Sequence, residues 1–208
     1  IDFSQIATPS SGVEIPASSG GIQYALSEGL FQHHIDFMKD LRAKIEESDP
    51  NFPNLIVTSA YRTPEKQSSI MFDVIRRSVE EEFKRLYRRQ GTPILDKFMI
   101  AYRAGNVASG TLVVNEQINA GKYFSSHLRS EALDLSTNHL TDAQVSALRT
   151  AIGSLGVSNQ LLEPLSSCWS ETLARLPNSD GLVTPGQGNC DREHIHLRIP
   201  SKYLKSIT

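Results

Sequence analysis

The chain has 208 residues, of which 39% are hydrophobic and 21% charged, and a formal net charge of −2. These values are ordinary for a soluble globular protein with one well-filled core or two small ones. The slightly acidic balance and the lack of an extended basic stripe argue against a nucleic-acid-binding protein. No apolar run approaches the ~20 residues that span a bilayer. Because the chain begins at Ile1 and not Met, we expect that a targeting segment has been removed.

The N-terminal quarter divides into a polar lead-in and a helix. Residues 1–21 are rich in Ser, Gly and Pro and are expected to be extended, ahead of a single domain over residues 22–208. Apolar residues at helical spacing predict a helix from about Gln23 to Glu47. It carries His33 and His34. We interpret His34 as a hydrogen-bonded core residue and His33 as its partly solvated neighbour.

The next segment predicts a strand followed by a long helix. The β-branched run at 54–61 predicts a strand that ends at Arg62. Pro64 and Glu65 then mark the start of a helix that extends to about Arg89. Residues 94–122 predict either short strands or a helix and a strand, because apolar periodicity alone does not separate the two.

The second half of the chain predicts further strands and one helix. Ala132 to Leu135 predicts a strand, and Thr141 with Gln144 forms a capping-box signature for a helix. Gln160 to Glu163 predicts another strand. Residues 164–189 predict a long loop, a feature that is often functional or tied down.

Two cysteines, Cys168 and Cys190, lie in and just after this loop. Their polar, loop-like surroundings favour a disulfide, which would stabilise the fold by about 3 kcal/mol. Two free buried thiols are the alternative. A disulfide would place the protein in an oxidising compartment, periplasmic or extracellular.

The stretch from Cys190 to Pro200 combines a strand pattern with a cluster of functional side chains. Apolar residues alternate with His194, His196 and Arg198, which predicts a strand with one buried face and both histidines on the other. Glu193 directly precedes this strand. Two imidazoles on one face of a strand suit metal binding.

Two more residues complete a possible metal site. His127 and Asp134 are separated by six residues, so a tight turn before the Ala132–Leu135 strand could direct both at the metal bound by His196. Two imidazoles and one carboxylate suit zinc better than magnesium or calcium. The alternative is that each is a hydrogen-bonded structural group.

Three motifs, in this order, resemble those of the zinc D-Ala-D-Ala peptidases. They are Ser-Ala-Tyr-Arg-Thr-Pro-Glu at 59–65, Ser125-x-His127-x-x-x-x-Ala132-x-Asp134, and Glu193-His194-x-His196. These peptidases belong to the LAS group, named for lysostaphin, D-alanyl-D-alanine metallopeptidases and the sonic hedgehog fold. The motifs cover roughly residues 55–200.

The resemblance implies roles for individual residues. His127, Asp134 and His196 would bind one zinc ion per chain. Glu193 would be the general base that takes a proton from the attacking water and passes it to the leaving amine. Arg62 would hold the carbonyl oxygen or the developing oxyanion.

Weaker roles fall to three further residues. His194 would lie near the oxyanion or form a hydrogen bond that orients a metal ligand. Ser125 and Tyr61 are weaker candidates for substrate binding, with structural roles as the alternative. The chain departs from the family at Ser130, where glycine is common, and in a helical insertion at about 65–122.

The fold expected from the resemblance is α+β, with a small antiparallel sheet that carries the zinc site and helices packed on its other face. The implied activity is hydrolysis of peptidoglycan stem peptides at a bond following a D-amino acid, by a carboxypeptidase or an endopeptidase. A non-catalytic zinc-stabilised binding domain of the same fold is the alternative. The sequence contains no Gly-x-Ser-x-Gly motif, which argues against a serine hydrolase.

Overall fold

The fold is taken from a computed structural model that describes residues 20–26, 29–77, 80–157, 160–163 and 194–204. The predicted lead-in before Gly20, the loop at 164–189, the Cys168–Cys190 pair and Glu193 lie outside the described residues. Within the described ranges, no helix is both long and apolar enough to cross a membrane.

In the described part of the chain, five strands form one sheet in the order β1-β2-β3-β5-β4. The strands are β1 (Ile22–Tyr24), β2 (Leu55–Ser59), β3 (Ala132–Ser136), β4 (Gln160–Glu163) and β5 (His194–Arg198). β2 to β5 are those that the sequence patterns predict, so these four predictions are confirmed.

The expectation of an antiparallel sheet is wrong in one respect, because the sheet is mixed. β3 pairs antiparallel with both β2 and β5, and β4 pairs antiparallel with β5, whereas β1 pairs parallel with β2. The connection between β1 and β2 contains a helix, and such a crossover allows two neighbouring strands to run in the same direction.

Seven α-helices and two 3₁₀ helices complete the described fold, which confirms the α+β class. The α-helices are α1 (Gln32–Glu46), α2 (Pro64–Arg77), α3 (Glu80–Leu86), α4 (Thr92–Arg103), α5 (Val107–Asn119), α6 (Asp142–Ser154) and α7 (Ser201–Leu204). The 3₁₀ helices are Arg88–Gln90 and Ser126–Arg129. The capping box predicted at Thr141 is present at the start of α6.

The structure corrects the predicted start of the first helix. The helix expected from Gln23 begins only at Gln32, because β1 occupies the first part of that segment. Gly29 then turns the chain with a φ of +84°, a conformation that favours glycine. Its carbonyl accepts a hydrogen bond of 2.9 Å from the amide of Tyr61.

The helical insertion also differs from the prediction. Where the sequence predicts a long helix to Arg89, α2 covers Pro64–Arg77, α3 covers Glu80–Leu86 and a 3₁₀ helix follows at Arg88–Gln90, while residues 78–79 lie outside the described residues. Residues 94–122 contain two helices, α4 and α5, and no strand. Buried Leu95, Phe98 and Met99 follow helical spacing, which shows why a short apolar run is ambiguous in the sequence.

Two hydrophobic clusters support the structure. The first lies between one face of the sheet and helices α1 and α6, and includes Leu133, Leu135, Ile195, Phe37 and Leu148. The second lies among the insertion helices and includes Met71, Phe83, Phe98, Val114 and Leu128. Because Leu128 follows His127, the insertion packs directly against the segment that carries the first predicted metal ligand.

Both histidines of α1 are buried, which corrects the expectation of a partly solvated His33. The exposed fractions are 3% for His33 and 0% for His34. His34 Nδ1 accepts a 3.0 Å hydrogen bond from the amide of Phe31 and so caps the helix. Burial, with His33 adding to it, lowers the pKa of His34 to about 3.

We predict that replacing His34 by Gln reduces the acid sensitivity of the fold. Unfolding returns His34 to its ordinary pKa of about 6.5, so the unfolded chain binds more protons and stability falls as the pH drops from about 6.5 towards 3. His34→Gln keeps an acceptor for the helix cap but removes the titrating ring. Urea unfolding at pH 7 and pH 5 should show that the free energy of unfolding falls less between these pH values for the variant than for the wild type.

The matched control is His139→Gln, which makes the same substitution at an exposed histidine. If the free energy of unfolding falls equally for His34→Gln and the wild type between pH 7 and pH 5, His34 is not a source of the acid sensitivity.

Candidate metal centre

Strand pairing brings two of the three predicted ligands together. Asp134 in β3 lies directly opposite His196 in the antiparallel β5, so both side chains project from the same face of the sheet. His196 Nδ1 lies 2.8 Å from Asp134 Oδ1. The apolar neighbours of these residues point into the first hydrophobic cluster, which leaves this face for polar groups.

The third ligand comes from the 3₁₀ helix Ser126–Arg129. His127 Nε2 lies 3.0 Å from Asp134 Oδ1 and 3.1 Å from His196 Nδ1. Three potential ligand atoms therefore meet at one point, where they could hold a metal ion. The structure brings together all three residues that the sequence singled out as ligands.

A turn at Ser130 sets the spacing between His127 and Asp134. Ser130 has a φ of +56° and is the only described non-glycine residue with a positive φ. Its amide donates to the carbonyl of His127 at 3.2 Å, which closes the 3₁₀ helix. The left-handed conformation explains why glycine would suit this position, and it lets the chain reverse into β3.

The loop after β2 fixes the orientation of His127. The Nδ1 of His127 donates a hydrogen bond to the carbonyl of Ala60. The carbonyl of His127 accepts a hydrogen bond of 3.2 Å from the amide of Arg62. A neutral imidazole has a single N–H. Since Nδ1 carries it, Nε2 presents a lone pair towards Asp134.

This arrangement is unfavourable without a cation. The Nε2 lone pair of His127 faces the carboxylate oxygen of Asp134, which is also an acceptor. Protonation of His127 would relieve the repulsion, but burial lowers the pKa of His127 and so disfavours the charged ring. A metal ion between these atoms would satisfy all of them, which is the physical reason to regard the cluster as a metal centre.

Arg62 balances the buried charge of Asp134. Its Nη2 lies 2.5 Å from Asp134 Oδ2, and its Nε donates to Ser59 Oγ at 3.0 Å. Burial alone would raise the pKa of Asp134, but its charged and hydrogen-bonding partners, Arg62 among them, hold it well below the usual range. The carboxylate is therefore ionised and available as a ligand through Oδ1.

Ser126 supports His196 in the same way that Ala60 supports His127. Its Oγ lies 3.3 Å from His196 Nε2, so an imidazole that binds a metal through Nδ1 can donate its remaining hydrogen to Ser126. Such partners fix the orientation of metal-binding histidines. Sequence reasoning missed Ser126 and Ala60, and the only available signal was their position beside predicted site residues.

The remaining predicted site residues occupy different positions around the cluster. His194 Nε2 lies 4.0 Å from Asp134 Oδ1, at the edge of the site. Ser125 Oγ accepts from the amide of His127 at 3.3 Å and caps the 3₁₀ helix, which is a structural contact. Tyr61 packs edge-on against Phe31. Glu193 lies outside the described residues.

The three donors from the described residues fit three positions of a tetrahedral metal ion. The three donor atoms lie 2.8–3.1 Å apart, slightly closer than the ~3.3 Å expected for ligands of tetrahedral zinc. The side chains of His194 and His196 are 17% and 23% exposed. The cluster is therefore not fully enclosed on the side of these two residues.

We predict that Asp134→Asn destabilises the metal-free protein by roughly 3 kcal/mol at pH 7, because Arg62 loses the counter-charge of a buried ion pair. The value is at the low end for such pairs, since the side chain of Arg62 is still 18% exposed. The stabilising effect of Asp134 is complete above its unfolded pKa of about 4 and is lost as the pH falls through its lower folded pKa.

Urea unfolding in the presence of a chelator, at pH 7 and pH 3, measures this effect. The difference between wild type and variant should shrink at pH 3. Asp73→Asn is a matched control, since it breaks an exposed 2.7 Å pair with Arg76 and should change stability by less than about 1 kcal/mol. Equal effects of the two substitutions would contradict the prediction.

Comparisons with known proteins give no match for this chain. No protein-family model, no curated protein and no solved structure matches it.

Proposed function

We propose that the protein is a zinc-dependent peptidase that hydrolyses peptidoglycan stem peptides at a bond following a D-amino acid. The single observation that carries the proposal is the convergence of His127, Asp134 and His196 on one point that is partly open to solvent. The resemblance of the sequence motifs to zinc D-Ala-D-Ala peptidases supplies the substrate class.

Zinc is the metal that this donor set suits best. Two imidazoles and one carboxylate are typical of catalytic zinc sites, which take three protein ligands and keep a position for water. Bound here, zinc would supply Lewis-acid polarisation of a carbonyl and a water of lowered pKa. A structural zinc site takes four protein ligands, whereas the described part of the chain contributes three. A structural zinc site needs no oxyanion donor, so the position of Arg62 beside the cluster favours an enzyme over a non-catalytic binding domain.

Glu193 is proposed as the general base. It directly precedes His194, the first residue of β5, in the sequence. Its carboxylate would accept a proton from the attacking water and then transfer it to the nitrogen of the leaving amine. This role needs a carboxylate that is ionised at neutral pH and lies within hydrogen-bond reach of the water.

Arg62 is proposed to bind the oxygen of the scissile carbonyl as negative charge develops on it. Two of its nitrogens are held in place, since Nε contacts Ser59 and Nη2 contacts Asp134. The guanidinium group is therefore oriented before substrate binds, and its remaining N–H groups are the proposed oxyanion donors. Preorganised donors of this kind lower the barrier because no reorganisation is needed during the reaction.

The proposed activity is that of either a carboxypeptidase or an endopeptidase. Its substrate lies in the cell wall, so the proposed site of action is periplasmic or extracellular. Peptidoglycan peptide is the proposed partner.

We predict about one zinc ion per chain and loss of hydrolysis in Glu193→Gln. The variant should retain zinc, because Glu193 is not a ligand, but should lower the rate at least 10²-fold, the usual contribution of a general base. Metal analysis of the purified protein and mass spectrometry of digested muropeptides measure the two effects. A released terminal alanine identifies a carboxypeptidase, and a cleaved cross-link identifies an endopeptidase.

Glu116→Gln is the control, since Glu116 forms an exposed 2.6 Å pair with Lys97 and should leave the rate unchanged. Full activity in Glu193→Gln would remove Glu193 from the base role. A zinc-loaded wild type that releases no muropeptide product would overturn the proposed peptidase function.

A further inference from the structure

Helix α1 contacts the segment that carries His127 through the side chain of His33. His33 Nε2 donates a hydrogen bond of 2.7 Å to the carbonyl of Ser130, a residue 97 positions away in the chain. Both partners are buried. Burial lowers the pKa of His33, so its ring is neutral at neutral pH and the single hydrogen lies on Nε2.

The acceptor of this bond is the turn between two metal ligands. Ser130 stands three residues after His127 and four before Asp134, and its left-handed φ of +56° is costly for a residue with a side chain. A strained turn persists only when its surroundings hold it. The hydrogen bonds that hold it include the one from the Ser130 amide to the His127 carbonyl and the one from His33 to the Ser130 carbonyl.

The donor lies on a helix that is anchored in the first hydrophobic cluster. Phe37, Met38 and Leu41 of α1 are fully buried in the first hydrophobic cluster. The ring of His33 also stacks on Phe31 at 5.8 Å with an interplanar angle of 8°. The position of the imidazole is therefore set by packing that does not involve the metal site.

We propose that His33 is a positioning residue for the metal centre, which holds the Ser130 turn so that His127 and Asp134 meet at the distance a metal ion requires. The inference rests on the metal centre of the proposed function but not on its peptidase activity. His33 touches neither the ligands nor a substrate, and it acts through the backbone of Ser130.

Two variants of similar size separate the hydrogen bond from the packing. His33→Gln carries an amide at the reach of the imidazole Nε2 and should keep the bond, whereas His33→Leu fills the space without a donor. We expect zinc affinity to fall about tenfold in His33→Leu, the lower end for residues that support metal ligands. The affinity of His33→Gln should stay within about threefold of the wild type.

The readout is binding of the metal alone, by competition with a chromophoric zinc chelator. The visible absorption spectrum of the Co²⁺-loaded protein gives a second measurement, and it should change in His33→Leu but not in His33→Gln. If His33→Leu does not fold, His33→Asn replaces it, because its amide is one methylene too short to reach Ser130.

His139→Leu is the matched control, since His139 also bonds a backbone carbonyl, that of Asn54 at 2.8 Å, but on an exposed surface away from the ligands. It should bind zinc as the wild type does. The positioning role would be overturned if His33→Leu, or His33→Asn in its place, bound zinc with wild-type affinity. It would also be overturned if His33→Gln lost as much zinc affinity as His33→Leu. Either result would leave the metal centre intact. A wild type that binds no zinc would overturn both.

Discussion

The structure of the site depends on one buried carboxylate. Asp134 is almost fully enclosed, and an ionised carboxylate cannot be buried without compensation. Arg62 compensates one oxygen, and two imidazoles face the other. These partners come from the loop after β2, from the 3₁₀ helix and from β5. The requirement to enclose this charge therefore connects segments that are far apart in the sequence.

Two separate hydrophobic clusters hold the two sides of the site. The sheet, with α1 and α6 packed on one face, positions Asp134 and His196 through strand pairing. The insertion helices form the second cluster, which includes Leu128 beside His127. This group of insertion helices thus supports the segment that carries His127. Its α2 begins two residues after Arg62, so it also adjoins the proposed oxyanion donor.

Backbone carbonyls and hydroxyls complete the arrangement. Ala60 orients His127, Ser126 contacts His196, and Ser130 accepts from His33. These contacts restrict the orientations of the three candidate ligands before any ion binds, and such preorganisation favours metal binding. The same contacts explain why the acceptor atoms of His127 and Asp134 are held face to face.

The sequence by itself predicted most of the strands, the helix α6 and the three residues that meet at the site. Alternation, the capping box at Thr141 and the spacing of His127 and Asp134 are local patterns, and local patterns are readable without a structure. Only the tertiary structure decided that β1 is a strand, since its hydrogen-bond partner is β2, and that residues 94–122 are helical. It also decided that His33 is buried, because its hydrogen-bond acceptor, Ser130, lies 97 residues away, and no local pattern can specify so distant a contact.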